Sequence, residues 1–224
     1  MGFLIAVDGV DASGKQTQTE LLLKRFEQEG DARLVSFPAY ESRSSELVRM
    51  YLGGEFGTDP EAVNAYAASV FFAADRYATF KTDWGKDYLS GKTIIADRYV
   101  SSNMIHQAGK IDDTEEKKVF LDWLYDLEYK KLGLPEPDIT VFLDMPPEYG
   151  ARLMRDRANK ITGAEQKDIH ERNAAYLQKS YENALFAAHR YGWRIVSCVK
   201  DGEIRTIEDI HKEIYDLIKG LQPR

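Results

Sequence analysis

The chain has almost no cysteine, no surplus of positive charge and no long apolar run. One cysteine occurs in 224 residues. Cys198 therefore has no partner for an internal disulfide, and its apolar surroundings read as core of a cytoplasmic protein. The 30 Lys and Arg residues stand against 37 Asp and Glu, a net charge of −7. Long polyanions need a basic face, so nucleic acid is not an expected partner. A small phosphorylated ligand needs only a local cluster of cations. No apolar segment reaches the ~20 residues that span a membrane, and Met1-Gly2 runs straight into a strand rather than a signal peptide. Gly2 also lacks the downstream Ser or Thr of a myristoylation signal. Repeats, low-complexity tracts and linkers are missing too, so one domain over residues 1–224 is expected.

What is present is an alternation. Apolar, β-rich runs recur at Phe3–Val7, Arg33–Phe37, Thr93–Ala96, Ile139–Leu143 and Arg194–Val199. They are continuous, as strands buried on both faces should be. Helical periodicity fills the intervals Gln16–Gly30, Ser44–Leu52, Glu61–Leu89, Glu115–Leu132, Glu148–Ala158, Gln166–Tyr191 and Ile207–Leu221. Thr206 and Asp209 have the spacing of a capping pair for the last helix. Strands alternating with helices predict an α/β fold with a parallel sheet covered on both sides. Ligands then sit at the carboxyl ends of the strands.

The first such end carries Gly9-Val10-Asp11-Ala12-Ser13-Gly14-Lys15, followed by the helix-prone Gln16-Thr17. Strand, glycine-bounded loop, lysine and helix together define a phosphate-binding P-loop. Gly9 and Gly14 permit backbone angles that a Cβ forbids. The loop amides and the positive end of the helix then face phosphate oxygens, and Lys15 adds a point charge. The hydroxyl that ordinarily follows the lysine and ligates Mg²⁺ is replaced by Gln16; Thr17 comes one residue late.

Asp97-Arg98-Tyr99 follows the third strand. Such an Asp suits Mg²⁺ held through water, and such an Arg suits a clamp on two phosphoryl groups; a solvated ion pair is the plain alternative. Phe37-Pro38-Ala39-Tyr40 ends another strand at the same edge. Phe72 and Arg76, four residues apart, share a helix face and fit a flat base bearing a carbonyl, or else ordinary core and a surface arginine. Met154–Lys167 reads as a mobile basic loop with Arg155, Arg157 and Lys160, either a lid over phosphates or an exposed charged loop.

In order, the P-loop, FPAY, FFAADR, ADRYVSSN, LGLPEPDITVFLD, the basic loop and DIHE resemble the thymidylate kinase (dTMP kinase) family, from Phe3 to about Tyr181. The resemblance implies a three-layer P-loop fold with a five-stranded parallel sheet and a lid near residues 154–167. It also implies ATP and dTMP as substrates, Mg²⁺ as cofactor, and a homodimer packed through the Glu61 and Glu115 helices. By position, residues 9–17 would take ATP, with Lys15 on its phosphates. Arg98 would bridge donor and acceptor phosphates. Phe72 would stack on thymine, and Arg76 and Asn103 would meet its polar edge. Phe37, Tyr40, Asp11, His106, Asp168 and Glu171 would line the acceptor, with Asp11, Asp97 and Glu171 near the metal. Ala12 stands where some members carry a catalytic P-loop arginine, so Arg155 or Arg157 of the lid would supply that charge. Gln16, Tyr40 and His106 depart from the usual pattern; at Tyr40 many members carry an arginine, for which Arg43 is a nearby substitute. Two rival readings remain: a kinase for another or a broader set of nucleoside monophosphates, and a nucleotide-binding protein without catalysis.

Overall fold

The structure is a computed structural model and describes residues 1–160 and 174–221; side chains at Pro60 and between 154 and 176 are not described. Five parallel strands form the central sheet: β1 (Phe3–Gly9), β2 (Ala32–Ser36), β3 (Thr93–Asp97), β4 (Ile139–Asp144) and β5 (Arg194–Ser197), in the order β2-β3-β1-β4-β5. Side chains alternate across β1 as the pleat requires. Leu4 and Ala6 face one layer with Ile94, Ala96, Tyr99, Phe120 and Leu124. Ile5 and Val7 face the other with Leu22, Val141, Val196, Ile210 and Ile214. Both faces are buried in the central strands β1, β3 and β4, which is why these read as continuous apolar runs; the edge strands β2 and β5 are only partly buried.

Helices α1 (Lys15–Glu27) and α9 (Ile207–Lys219) cover the second face. The first is covered by α3 (Ala65–Thr79), α4 (Gly85–Leu89), α5 (Val100–His106), α6 (Thr114–Tyr125) and α8 (Ala174–Tyr191). Short α2 (Glu46–Gly53) packs on α3. Thr206 accepts a hydrogen bond from the Asp209 amide and caps α9 as its spacing predicts.

Several boundaries depart from the sequence reading. The expected helix Glu61–Leu89 is a 3-10 turn at Pro60–Ala62, then α3, a π-helical turn Phe80–Trp84 and α4. The Glu115–Leu132 helix likewise ends in a π-helical turn, Asp126–Lys131. Helix α5 was not expected; its seven residues are too few for a periodic signal. The last strand stops at Ser197, and Val199–Lys200 instead starts an antiparallel hairpin, β6, with β7 (Glu203–Ile204). Helix α7 (Pro147–Lys160) extends through half of the segment expected as a loop at 154–167. The Arg, Lys and Ala of residues 154–160 are good helix formers. The remainder, 161–167, lies outside the described residues, as do Asp168 and Glu171.

Candidate active site

The P-loop leaves β1 at its carboxyl end and delivers Lys15 as the first residue of α1. Ala12 and Gly14 are left-handed, at φ 59° and 87°. The turn is closed tightly from the Gly9 side. A Cβ there would lie 2.5 Å from Ser13 Oγ and 3.0 Å from the Leu143 carbonyl oxygen. Gly9→Ala is therefore expected to push the loop open and raise KM for ATP about tenfold or more, kcat falling less, by steady-state kinetics. The Lys15 ammonium donates to the carbonyls of Gly9 and Val10, each at 2.9 Å. Burial, with Arg98 adding to it, brings its pKa down to about 8. The first-turn amides of α1 have no intrahelical acceptors and form the anion-facing end of the helix. Gln16 is exposed and donates to Glu20 at 3.0 Å along the outside of α1, away from the metal role of a hydroxyl.

Arg98 is the hinge of the site. It sits just past β3 in a left-handed conformation, φ 65°, its amide donating to the Val7 carbonyl at 3.0 Å. That backbone costs a non-glycine residue about 1–2 kcal/mol. It turns the guanidinium back over the P-loop, where Nη2 donates to Asp11 Oδ1 at 3.0 Å and Nη1 lies 3.1 Å from His106 Nε2. Burial pushes the Asp11 carboxyl up, but the charges of Arg98 and Lys15 hold it well below the usual carboxylate range. Burial lowers the Arg98 pKa, and Asp11, Asp8 and Asp97 more than offset that, so it is a permanent cation. Asp97 ends β3; burial raises its carboxyl pKa against the pull of Lys15 and Arg98. Its Oδ1 is buried with no hydrogen-bond partner among the described residues.

Beside Arg98 opens a cleft of about 560 Å³, its open mouth included. Phe37, Pro38 and Tyr40 line it from the segment after β2, Leu52 from α2, Phe72 and Arg76 from α3. Ser102, Asn103, His106 and Gln107 line it from α5 and its end, and Asp11 closes it toward the P-loop. Phe72 is half-buried and braced edge-on by Tyr51, centroids 6.2 Å apart at 87°. Phe37 is mostly core, packed against Tyr99 and Trp84. Tyr40 is half exposed, with Arg49 donating to its carbonyl. Arg43 is exposed and does not line the cleft.

Arg76 is fully buried and forms a two-pronged pair with Glu128, Nε–Oε2 2.6 Å and Nη2–Oε1 2.5 Å. Its Nη1 donates to the Tyr99 carbonyl at 3.3 Å, and Asn103 Nδ2 reaches Glu128 Oε1 at 3.4 Å. Glu128 thus fixes the two polar groups expected to face a base. Sequence reasoning missed it. The signal was present: Phe120, Leu124 and Glu128 continue one i, i+4 stripe, and an acid on an apolar stripe calls for a buried cation. Two further residues were missed. Asp8, fully buried, accepts from Ser101 Oγ at 2.8 Å and Ser102 Oγ at 2.8 Å, tying β1 to α5. Gln107 is buried at the cleft, its Oε1 without a partner among the described residues. The backbone of Arg155 and Arg157 lies in α7; their side chains, like Asp168 and Glu171, are outside the described residues.

A P-loop and an arginine-bordered second cleft, side by side at the carboxyl ends of a parallel sheet, define a nucleotide-dependent phosphotransferase. A family model described as thymidylate kinase matches residues 7–214. The chain is similar to the thymidylate kinase of Mycobacterium tuberculosis, 33% identical over 205 residues, covering 88% of this chain and 92% of that protein. It is also similar to a probable thymidylate kinase of Thermococcus gammatolerans, 29% identical over 223 residues and covering 98% and 97%. Among solved structures, the thymidylate kinase of Candida albicans superposes with a TM-score of 0.73 at 24% identity, covering 98% of this chain and 92% of that one. The chain belongs to the thymidylate kinase family.

Proposed function

We propose that the P-loop takes ATP, that the second cleft takes dTMP, and that Arg98 lies between their facing phosphates. The activity is ATP-dependent phosphorylation of dTMP to dTDP, on the way to dTTP. What carries the assignment of roles is Arg98 itself: one guanidinium touches the P-loop through Asp11 and borders the second cleft.

In the reaction a phosphate oxygen of dTMP attacks the γ-phosphorus, the bond to the β-phosphate oxygen breaks, and ADP leaves. No protein nucleophile is needed; positioning and charge neutralisation supply the rate. The loop amides and Lys15 hold the ATP phosphates, Lys15 exchanging its two carbonyl partners for phosphate oxygens. Phe72 stacks on thymine, while Arg76 and Asn103, fixed by Glu128, meet its polar edge. Arg155 or Arg157 adds a lid cation. Phe72→Ala is expected to raise KM for dTMP by about 5- to 150-fold, the ~1–3 kcal/mol of a base–aromatic stack, with KM for ATP unchanged in the same assay.

Among the described residues no three acids or histidines gather into a cation cage. The donors do fit Mg²⁺ that keeps most of its ligands as water and phosphate. Asp97, with its unpartnered Oδ1, would hold it, and when bound it neutralises charge on the outer phosphates. Asp11 is engaged by Arg98 and is the weaker candidate; Glu171 keeps its expected role. Asp97→Asn should raise the Mg²⁺ concentration for half-maximal rate at least severalfold.

The protein is proposed to act as one cytoplasmic domain and as a homodimer. Among the described residues no helix is long and apolar enough to cross a membrane. Tyr66 and Val70 of α3 and Val119 of α6 are exposed apolar residues, 41%, 46% and 63% accessible, and Tyr66 packs on Trp123 of α6. This face supports dimer packing through the two helices. Sedimentation of Val70→Asp/Val119→Glu should show a monomer where the parent is a dimer.

A further inference from the structure

We propose that His106 is a positioning residue for Arg98, setting the plane of the guanidinium that spans the two phosphates; the inference rests on the phosphoryl-transfer reading above. His106 lies on α5 and is 7% exposed. Its Nε2 is 3.1 Å from Arg98 Nη1. A guanidinium only donates, so Nε2 accepts, and the ring is neutral with its proton on Nδ1. On the other terminal nitrogen, Nη2 donates to Asp11 Oδ1 at 3.0 Å.

The two anchors come from different elements, α5 and the P-loop. They hold different terminal nitrogens of one rigid, planar group, so rotation about its long axis is blocked. They also differ in charge. Asp11 offsets the positive charge it holds; a neutral imidazole orients the group and leaves its charge intact. Of the five N–H groups of a guanidinium, these contacts use two, and three remain for phosphate oxygens. When phosphate competes Arg98 away from Asp11, the bond to His106 is the contact that persists. The left-handed backbone at Arg98 fixes where the side chain starts, and His106 fixes where it ends.

The test compares His106→Phe with His106→Gln. Phenylalanine fills the space without an acceptor, whereas Gln places Oε1 near the position of Nε2. With Mg-ATP and dTMP, H106F should lower kcat by about 10- to 100-fold, the range expected when a catalytic cation loses its orientation, with KM for ATP unchanged. H106Q should recover at least tenfold over H106F. In an Arg98→Ala background, H106F should change kcat by less than about twofold. Equal kcat for H106F and H106Q overturns the proposal. So does a loss confined to KM for dTMP, which makes His106 a wall of the nucleotide cleft. The imidazole tautomer is a second readout that needs neither a variant nor turnover. In ¹⁵N-labelled protein, His106 should carry its proton on Nδ1, and a ring protonated on Nε2 overturns the proposal. Wild-type protein without dTMP turnover would refute the functional reading, and the tautomer would still decide this one.

Discussion

Arg98→Ala should lower kcat for dTMP phosphorylation by about 10³-fold, roughly 4 kcal/mol of transition-state stabilisation, while ATP affinity changes no more than about threefold. The size follows from what only Arg98 does in the described site. It sits just past β3, its backbone is turned left-handed, and its side chain is held between the P-loop and α5. Its charge is thus set in place before substrates arrive, and no reorganisation is needed during the reaction. Arg98→Lys should rescue only part of the loss, because an ammonium cannot bridge two phosphates as a planar fork does. The variant has a second signature. Asp11 loses its strongest cationic neighbour and is left with Lys15, so its carboxyl pKa should rise toward the ordinary range. Single-turnover kinetics, with ATP binding measured separately, check the main claim. A kcat within tenfold of wild type would remove Arg98 from the phosphoryl-transfer step.

Glu128→Ala should be the most destabilising single substitution around the second cleft, at about 3–5 kcal/mol. Arg76 and Glu128 are both almost fully buried, with side-chain exposures of 1% and 0%. Burial works against the Arg76 charge, and the Glu128 carboxylate more than compensates, so the arginine pKa is raised. Removing the acid leaves a buried guanidinium with the Tyr99 carbonyl as its remaining partner among the described residues. For a chain of 224 residues, about 2–4 °C of Tm is lost per kcal/mol, so melting should fall by roughly 10 °C. The double variant Arg76→Met/Glu128→Leu removes both charges and should recover much of that stability. It should not recover dTMP binding, since the cleft then lacks its donor. Calorimetry and KM for dTMP on the three variants separate the pair's structural role from its place in the cleft. A Glu128→Ala protein melting within about 2 °C of wild type would show that the pair contributes little.

Much of this was readable before any coordinates. Five apolar runs announced the strands, of which the central three are buried on both faces and the two edge strands only partly, and the glycine spacing before Lys15 announced the P-loop. Phe72 and Arg76 were paired from their spacing, and they do line one cleft. What could not be read has physical causes. Seven residues of α5 carry too little period to signal a helix, yet α5 supplies Asn103 and His106. Two π-helical turns interrupt helices whose 3.6-residue period ran on in the sequence. The stripe of Phe120, Leu124 and Glu128 marked a buried acid, but which cation it meets, Arg76 at 52 positions' distance, is set by tertiary packing. The left-handed turn at Arg98 leaves no trace in residue type, because arginine is not a residue that favours it.

Coupled ADP release from Mg-ATP, with dTMP set beside dUMP, UMP, dCMP, dGMP and dAMP, is the decisive measurement. Strong turnover with dTMP, at least tenfold above every other acceptor in kcat/KM, is the expected result. It would also show that Gln16 in place of a metal-binding hydroxyl is tolerated. Absence of dTMP-dependent ADP release, in protein that still binds ATP, would contradict the assignment.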